Sequence, residues 1–269
     1  MDLAHLNDRG LLLVGCGKMG QALLDGWLAR GLRPGAVHVL DPAADASLAE
    51  RGVHVNNLPP ADPAVLLLAV KPQIMGEVLP SLADYGGGGT LVVSVAAGTM
   101  LARLEEAFPQ APIVRAMPNL PAAIGQGITA IVGNARTDAR ALDLAQALME
   151  AVGRVVRLNG EHQMDAATAL SGSGPGYVFH LIEALAEAGE AEGLPADLAL
   201  ELAEATVAGA GALALASEQS PAALRESVTS HKGTTAAGLA VLMDEGAGLR
   251  PLIRRTVAAA AARSRELAQ

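Results

Sequence analysis

The sequence predicts an α/β protein in two parts: a mostly parallel, doubly wound sheet over residues 1–159, then an all-helical part over residues 160–269. Three observations carry this. Short, continuous apolar runs alternate with helix-like stretches in the first part, as expected for strands buried on both faces. A glycine-rich motif, Gly15-Cys16-Gly17-Lys18-Met19-Gly20, sits where the first such run gives way to the first helix. After Asn159-Gly160 the strand-like runs stop, and Gly or Pro punctuates a series of helical segments.

Residues 11–15 read as a buried strand, and 18–30 have helical spacing that stops at Gly31. A second strand, 37–40, is followed by a short helix over 46–51. Residues 65–70 are a buried strand stopped by Pro72, 90–95 another, and 99–108 a helix. Strands at 113–116 and 128–132, a helix at 137–152 and a short strand at 155–158 complete the first part. Gly86 to Gly89 reads as a flexible surface turn. In the second part, 163–170, 175–192, 196–217, 221–228, 234–244 and 249–268 read as helices.

With 269 residues, half of them apolar, the chain can bury a sizeable core. Aromatics make up only 2%, so Ala, Leu, Val and Gly must fill that core, and such small residues allow close helix-to-helix approach in the Ala-rich second part. A net charge of −9 argues against non-specific nucleic-acid binding. No apolar run reads as long enough to cross a bilayer, and the start, MDLAHLNDRG, lacks the features of a signal peptide. The single Cys16 excludes an intramolecular disulfide and fits a reducing cytosol, so a cytoplasmic protein is expected. No metal-ligand spacing occurs, and most of the scattered histidines suit surface or capping roles.

The glycine-rich motif has the mechanism of dinucleotide binding. Its first Gly makes a tight turn, the second lets backbone approach a pyrophosphate, and the third lets helix and strand pack closely. Asp41 ends the second strand, where a carboxylate can accept hydrogen bonds from a ribose 2′-hydroxyl and would repel a 2′-phosphate. Arg51, the next cation, sits beyond a helix, so the local reading leans towards NADH. The alternative reading is that Asp41 caps the turn before Pro42. Ala69-Val70-Lys71-Pro72 closes another strand, and ligands of open α/β sheets bind beyond such ends, which places Lys71 near the cofactor. Ala96-Ala97-Gly98 occupies the same edge, where small residues let a nicotinamide lie close. Cys16 has no evident partner base and reads as a packing residue.

Val228 to Leu239 reads VTSHKGTTAAGL. A small-residue loop runs into a helix start at Thr234-Thr235, whose free N–H groups and positive dipole end suit a small anion such as a carboxylate.

Together these motifs resemble one family, pyrroline-5-carboxylate reductase. The resemblance rests on Gly15 to Gly20, AVKP at 69–72, SVAAG at 94–98, RAMPN at 115–119, SGSGPGYVF at 171–179 and VTSHKGTTAAGL at 228–239. It implies reduction of the C=N bond of 1-pyrroline-5-carboxylate by NADH or NADPH, giving L-proline in the last step of proline biosynthesis. It also implies a Rossmann domain, a helical domain that forms an interlocked homodimer, assembly commonly to decamers, and an active site that includes helices of the partner subunit. By the same resemblance, Gly15, Cys16, Gly17, Lys18, Met19 and Gly20 take the pyrophosphate, and Asn56, Ala69, Val70, Lys71, Pro72, Ala96 and Ala97 lie along adenosine, ribose and nicotinamide. Backbone N–H groups of Gly233, Thr234 and Thr235 hold the substrate carboxylate, the Thr235 hydroxyl is the proposed proton donor, and Glu218 faces the substrate pocket. Three positions depart from the family pattern: Ser230-His231-Lys232-Gly233 stands where SPGG is usual, Leu120 where Thr often follows RAMPN, and Gly176 replaces a usual Ala.

A protonated imine is already a good hydride acceptor, so the protein needs mainly to position cofactor and substrate. Two other readings remain. A β-hydroxyacid dehydrogenase would need a catalytic Lys on a helix of the second part, but Lys232, the only Lys after Lys71, lies in a loop. A dinucleotide-sensing protein would have no reason to keep the anion site at Gly233 to Thr235.

Overall fold

A computed structural model describes residues 3–267 of the chain. Packing divides it into two compact units: residues 1–172 with 261–269, and residues 173–260. Composition changes at Asn159-Gly160, whereas packing changes at Gly172-Ser173.

The first unit is built on eight strands: β1 (Leu11–Val14), β2 (Val37–Leu40), β3 (His54–Val55), β4 (Val65–Leu68), β5 (Leu91–Ser94), β6 (Ile113–Met117), β7 (Gly127–Gly133) and β8 (Gly153–Arg157). They form one sheet in the order β3-β2-β1-β4-β5-β6-β7-β8. All neighbours are parallel except β6 and β7. That pair is antiparallel because a short 3-10 segment, Leu120–Ile124, rather than a crossover helix, joins it. The winding reverses between β1 and β4, so the ends of Val14 and Leu68 flank a switch point, the usual ligand crevice of an open α/β sheet.

Helices α1 (Leu3–Arg9), α2 (Lys18–Ala29), α3 (Ser47–Glu50), α4 (Met75–Val78), α5 (Leu101–Ala107), α6 (Ala139–Met149) and α7 (Met164–Ala167) complete this unit. Side chains of β1 alternate between two cores, Leu11 and Leu13 on one face of the sheet and Leu12 and Val14 on the other. This alternation is why the strand reads as an unbroken apolar run. Trp27 is fully buried on α2 and donates from its indole nitrogen to the Leu148 carbonyl at 2.9 Å.

The second unit holds α8 (Gly174–Ala191), α9 (Ala196–Ala216), α10 (Pro221–Ser227), α11 (Thr234–Leu242) and the first part of α12 (Leu249–Leu267). Small residues bring α8 and α9 together: a Cβ placed on Gly189 would lie 3.2 Å from Cβ of Ala199. Phe179, Leu185, Leu215 and Val241 are exposed in a single copy of the chain.

Several expectations need correction. Helix α9, 21 residues long, is long and apolar enough to cross a membrane by length and composition, contrary to the reading that no run is. Asp197, Glu201 and Glu204 interrupt its first half in sequence, but residues 205–216 carry no charge. Gly86 is not part of a flexible turn. It is buried at the end of a 3-10 helix, and a Cβ there would meet Phe108 at 2.9 Å. The expected helix over 163–170 is one α-helical turn followed by a π-helical segment, Thr168–Gly172. Among the histidines, His38 is an exception to the surface and capping roles: its ring stacks on that of His54, centroids 4.5 Å apart, and its Nδ1 is buried without a partner. Helix α1, strand β3 and helix α4 had no sequence signal, since each is too short for its periodicity to register.

Candidate active site

The glycine-rich loop crosses the switch point directly after β1. Gly15 has φ +88°, and a Cβ there would lie 2.8 Å from the Ala69 carbonyl group. On Gly20 it would lie 2.4 Å from the Gly15 carbonyl oxygen, but on Gly17 it would meet nothing within 4 Å. The first and third glycines are therefore demanded by protein packing. The second is exposed and borders open space, which fits a site where a pyrophosphate approaches backbone. Helix α2 begins at Lys18, and its first-turn N–H groups have no intrahelical acceptor, so they are available to an anion. Lys18 is exposed and Met19 half-buried.

Asp41, just past β2, accepts from the Cys16 backbone N–H at 2.6 Å through one carboxylate oxygen and from the Ala43 N–H at 2.8 Å through the other. It thus ties the glycine-rich loop to the following turn, so the capping and cofactor roles are compatible in one residue. Asn56 has φ +52°. Its amide oxygen accepts from the Asp41 N–H and its amide nitrogen donates to the Asp41 carbonyl, both at 3.0 Å. Asn56 therefore fixes the backbone of Asp41. The Cys16 thiol is pushed up to about 11, first by burial and then by the carboxylates of Asp41 and Asp25, against a smaller opposing effect of Arg51. A thiol so disfavoured as thiolate is a poor nucleophile, as expected of a packing residue.

After β4, the Ala69 N–H bonds the Val14 carbonyl at 2.7 Å, which holds this segment beside Gly15. Val70 and Pro72 are half-buried, and Lys71 is exposed at the start of a short 3-10 helix. After β5, Ala96 is buried and Ala97 exposed. Gly98 has φ +75°, and a Cβ there would lie 3.2 Å from the Leu267 carbonyl oxygen.

The RAMPN segment is structural in two ways that sequence alone did not reveal. Arg115 is buried and pairs with Glu161 at 2.8 Å, and the same Glu161 oxygen accepts from the Leu101 N–H at 2.8 Å. Asn119 donates to the Ser171 carbonyl at 3.1 Å and accepts from the Ile128 N–H at 2.9 Å, so RAMPN and the start of SGSGPGYVF are joined directly. Glu161 carried no motif signal, because its partners are distant in sequence.

In the second unit, Gly233 is the N-cap of α11, with Thr234 and Thr235 in the first turn and exposed. A Cβ on Gly233 would displace the hydroxyl of Ser230, an exposed side chain that can turn away. Lys232 has φ +64°, a left-handed conformation that suits the Gly usual at this position in the family pattern. Glu218 is exposed in the turn before α10. Among the described residues no group of three or more metal-ligating side chains occurs.

The described geometry is that of a dinucleotide-binding sheet followed by a helical unit with an open helix start. Comparison with known proteins names both parts. Residues 161–267 match the family described as pyrroline-5-carboxylate reductase dimerisation, and residues 11–98 match NADP oxidoreductase coenzyme F420-dependent. The pyrroline-5-carboxylate reductase of Synechocystis is 49% identical over 203 residues, 76% of this chain and 74% of that protein. A solved pyrroline-5-carboxylate reductase from Coxiella burnetii has a TM-score of 0.90 at 35% identity, covering 97% of this chain and 99% of its own. The Plasmodium falciparum pyrroline carboxylate reductase, solved with NADP bound, has a TM-score of 0.83 at 27% identity, covering 98% and 99%. Likeness of this extent runs through the glycine-rich loop and the helical unit alike, and the chain belongs to the pyrroline-5-carboxylate reductase family.

Proposed function

We propose that this chain is an NAD(P)H-dependent oxidoreductase that reduces the C=N bond of 1-pyrroline-5-carboxylate to L-proline, the last step of proline biosynthesis. The observation that carries this reading is likeness at 35% identity over 97% of the chain to a solved pyrroline-5-carboxylate reductase. NADH or NADPH, when bound, supplies the hydride. The fit of the cofactor is supported by the crowding at Gly15 and Gly20 and the open space at Gly17. Asp41 favours a ribose diol over a 2′-phosphate, which leans the choice towards NADH.

The division of labour we propose is a cofactor half over residues 1–159 and a substrate and dimerisation half over 160–269. Gly15 to Gly20 hold the pyrophosphate. Asp41, Asn56, Ala69 to Pro72, Ala96 and Ala97 border adenosine, ribose and nicotinamide. The N–H groups of Gly233, Thr234 and Thr235 hold the substrate carboxylate; the place of Thr234 and Thr235 in the first turn of α11 supports this role, whereas the N–H of the N-cap Gly233 bonds the Ser230 carbonyl at 3.0 Å and must exchange that partner for the carboxylate. Glu218 borders the substrate, and the Thr235 hydroxyl is the proton donor to the ring nitrogen, passing on a proton that solvent replaces so that the hydroxyl stays neutral. Holding the imine carbon close to the hydride donor supplies a large part of the rate, and no strong acid is needed once the nitrogen is protonated.

The exposed apolar faces of the second unit, α9 included, belong to the homodimer contact in this reading. Assembly of dimers to a decamer and residence in the cytoplasm are part of the same proposal. Oxidation of NADH or NADPH that depends on added pyrroline-5-carboxylate tests it, and a purified chain that oxidises neither cofactor with this imine refutes it.

A further inference from the structure

We infer that the stacked rings of His38 and His54 position Asn56, and through it Asp41, and that a proton on His38 loosens this hold. This rests on the reading of Asp41 as part of a cofactor site and adds two positioning residues that lie outside it. Strand β3 is the edge of the sheet and only two residues long. It pairs with β2 at His38–His54 and Val39–Val55. Across the first of these pairs the two imidazole rings stack, centroids 4.5 Å apart and planes 19° from parallel, while Val55 packs on the core. The next residue is Asn56, whose N–H bonds the Val39 carbonyl at 2.8 Å and whose φ is +52°. That left-handed backbone aims its side-chain amide at Asp41, where it makes both of its bonds. A two-residue strand with one ring stack and one half-buried valine thus sets the residue that fixes Asp41.

The hold is sensitive to charge for a geometric reason. Nδ1 of His38 is buried with no partner. In the neutral ring with its hydrogen on Nε2, that atom is an acceptor left unused. A second proton makes it a buried donor with nothing to receive its hydrogen, and sets a cation against the ring of His54. Charged side chains on the surrounding elements are engaged elsewhere: Arg9 with Asp62, Arg33 with Asn7 and Asp8, and Arg51 with Asp25. Glu50 of α3 is exposed. Burial first, and His54 second, lower the pKa of His38 below its ordinary 6.5. The fold therefore favours the neutral ring. Its contribution is fully present above pH 6.5 and is lost as pH falls through the lowered value.

Equilibrium dialysis of the full chain with NAD⁺ tests this without turnover. Between about pH 5 and about pH 8 histidine is the side chain that changes charge, and NAD⁺ keeps a constant charge. The natural chain is expected to bind NAD⁺ about threefold or more weakly near pH 5 than near pH 8. His38→Phe keeps a ring for His54 to stack on but has no titrating nitrogen. It is expected to hold the affinity seen near pH 8 within about twofold and to flatten the profile. His38→Ala removes the ring and is expected to weaken binding about threefold or more across the range. Equal pH profiles in the natural chain and His38→Phe, or full affinity in His38→Ala, would overturn the inference. Hydrogen exchange at the Asn56 amide, corrected for its intrinsic rate, is the second readout. It is expected to speed up towards low pH in the natural chain but not in His38→Phe, and exchange with no dependence on His38 would overturn the positioning role. A chain that binds no NAD⁺ at any pH would refute the cofactor reading, and the Asn56 exchange would still decide whether the histidine pair positions Asn56.

Discussion

The carboxylate of Asp41 and the backbone N–H of Cys16 are joined by a 2.6 Å hydrogen bond, so the end of β2 holds the glycine-rich loop in place. A carboxylate has lone pairs beyond the two engaged by Cys16 and Ala43, and these remain for a ribose diol. Removing the carboxylate costs both the loop tether and the ribose contact. Asp41→Ala is expected to weaken NADH about tenfold or more in a fluorescence titration. Undiminished NADH affinity would show that Asp41 serves only the turn before Pro42.

Burial, and after it the nearby carboxylates of Asp41 and Asp25, have a consequence for Cys16. With its thiol pushed up to about 11 from 9.0, thiolate at pH 8 is about a hundredfold scarcer than for an ordinary thiol. Alkylation by iodoacetamide is expected to be slow at pH 8 and to rise with an inflection near pH 11. The folded chain holds the thiol proton more tightly than the unfolded chain, so stability falls as pH rises through the interval from about 9 to about 11. An inflection near 8.5 would contradict the buried, carboxylate-flanked setting.

The three glycines of the motif separate by what their space holds. Gly20→Ala drives a methyl group onto the Gly15 carbonyl and is expected to destabilise the chain by roughly 1–3 kcal/mol, read in urea unfolding. Gly17→Ala is expected to change stability by less than about 0.5 kcal/mol and to weaken NADH and NADPH about tenfold or more, because its Cβ enters only the space assigned to the pyrophosphate. A Gly17→Ala chain with full cofactor affinity would place the pyrophosphate elsewhere.

Arg115→Ala removes one partner of a buried ion pair and leaves Glu161 with only the Leu101 N–H among the partners described above. A loss of roughly 3 kcal/mol in urea unfolding is expected, and Arg115→Met, which restores apolar volume but not charge, is expected to lose less. A loss below about 1 kcal/mol for Arg115→Ala would mean that the pair is solvated in solution.

The sheet was legible because its strands are buried on both faces and carry unbroken apolar runs, as Leu11 to Val14 do. The glycine-rich loop was legible because its chemistry is local. What sequence could not supply are pairings across long separations: Arg115 with Glu161, Asn119 with Ser171, and Arg51 with Asp25. Because α3 is only four residues long, Arg51 reaches back to Asp25 in the middle of α2. Strand β3 was missed because two residues show no period, although its His54 is fixed on β2 by stacking with His38. Lys232 was legible as a departure, and its positive φ gives the physical reason a glycine is usual there.

The central claim is hydride transfer from the nicotinamide to the imine carbon of 1-pyrroline-5-carboxylate. It is tested most directly with NADH or NADPH carrying deuterium at the transferring position. The account predicts L-proline with one deuterium at C5, formed in step with cofactor oxidation. Cofactor oxidation without proline, or proline with no label at C5, would contradict it.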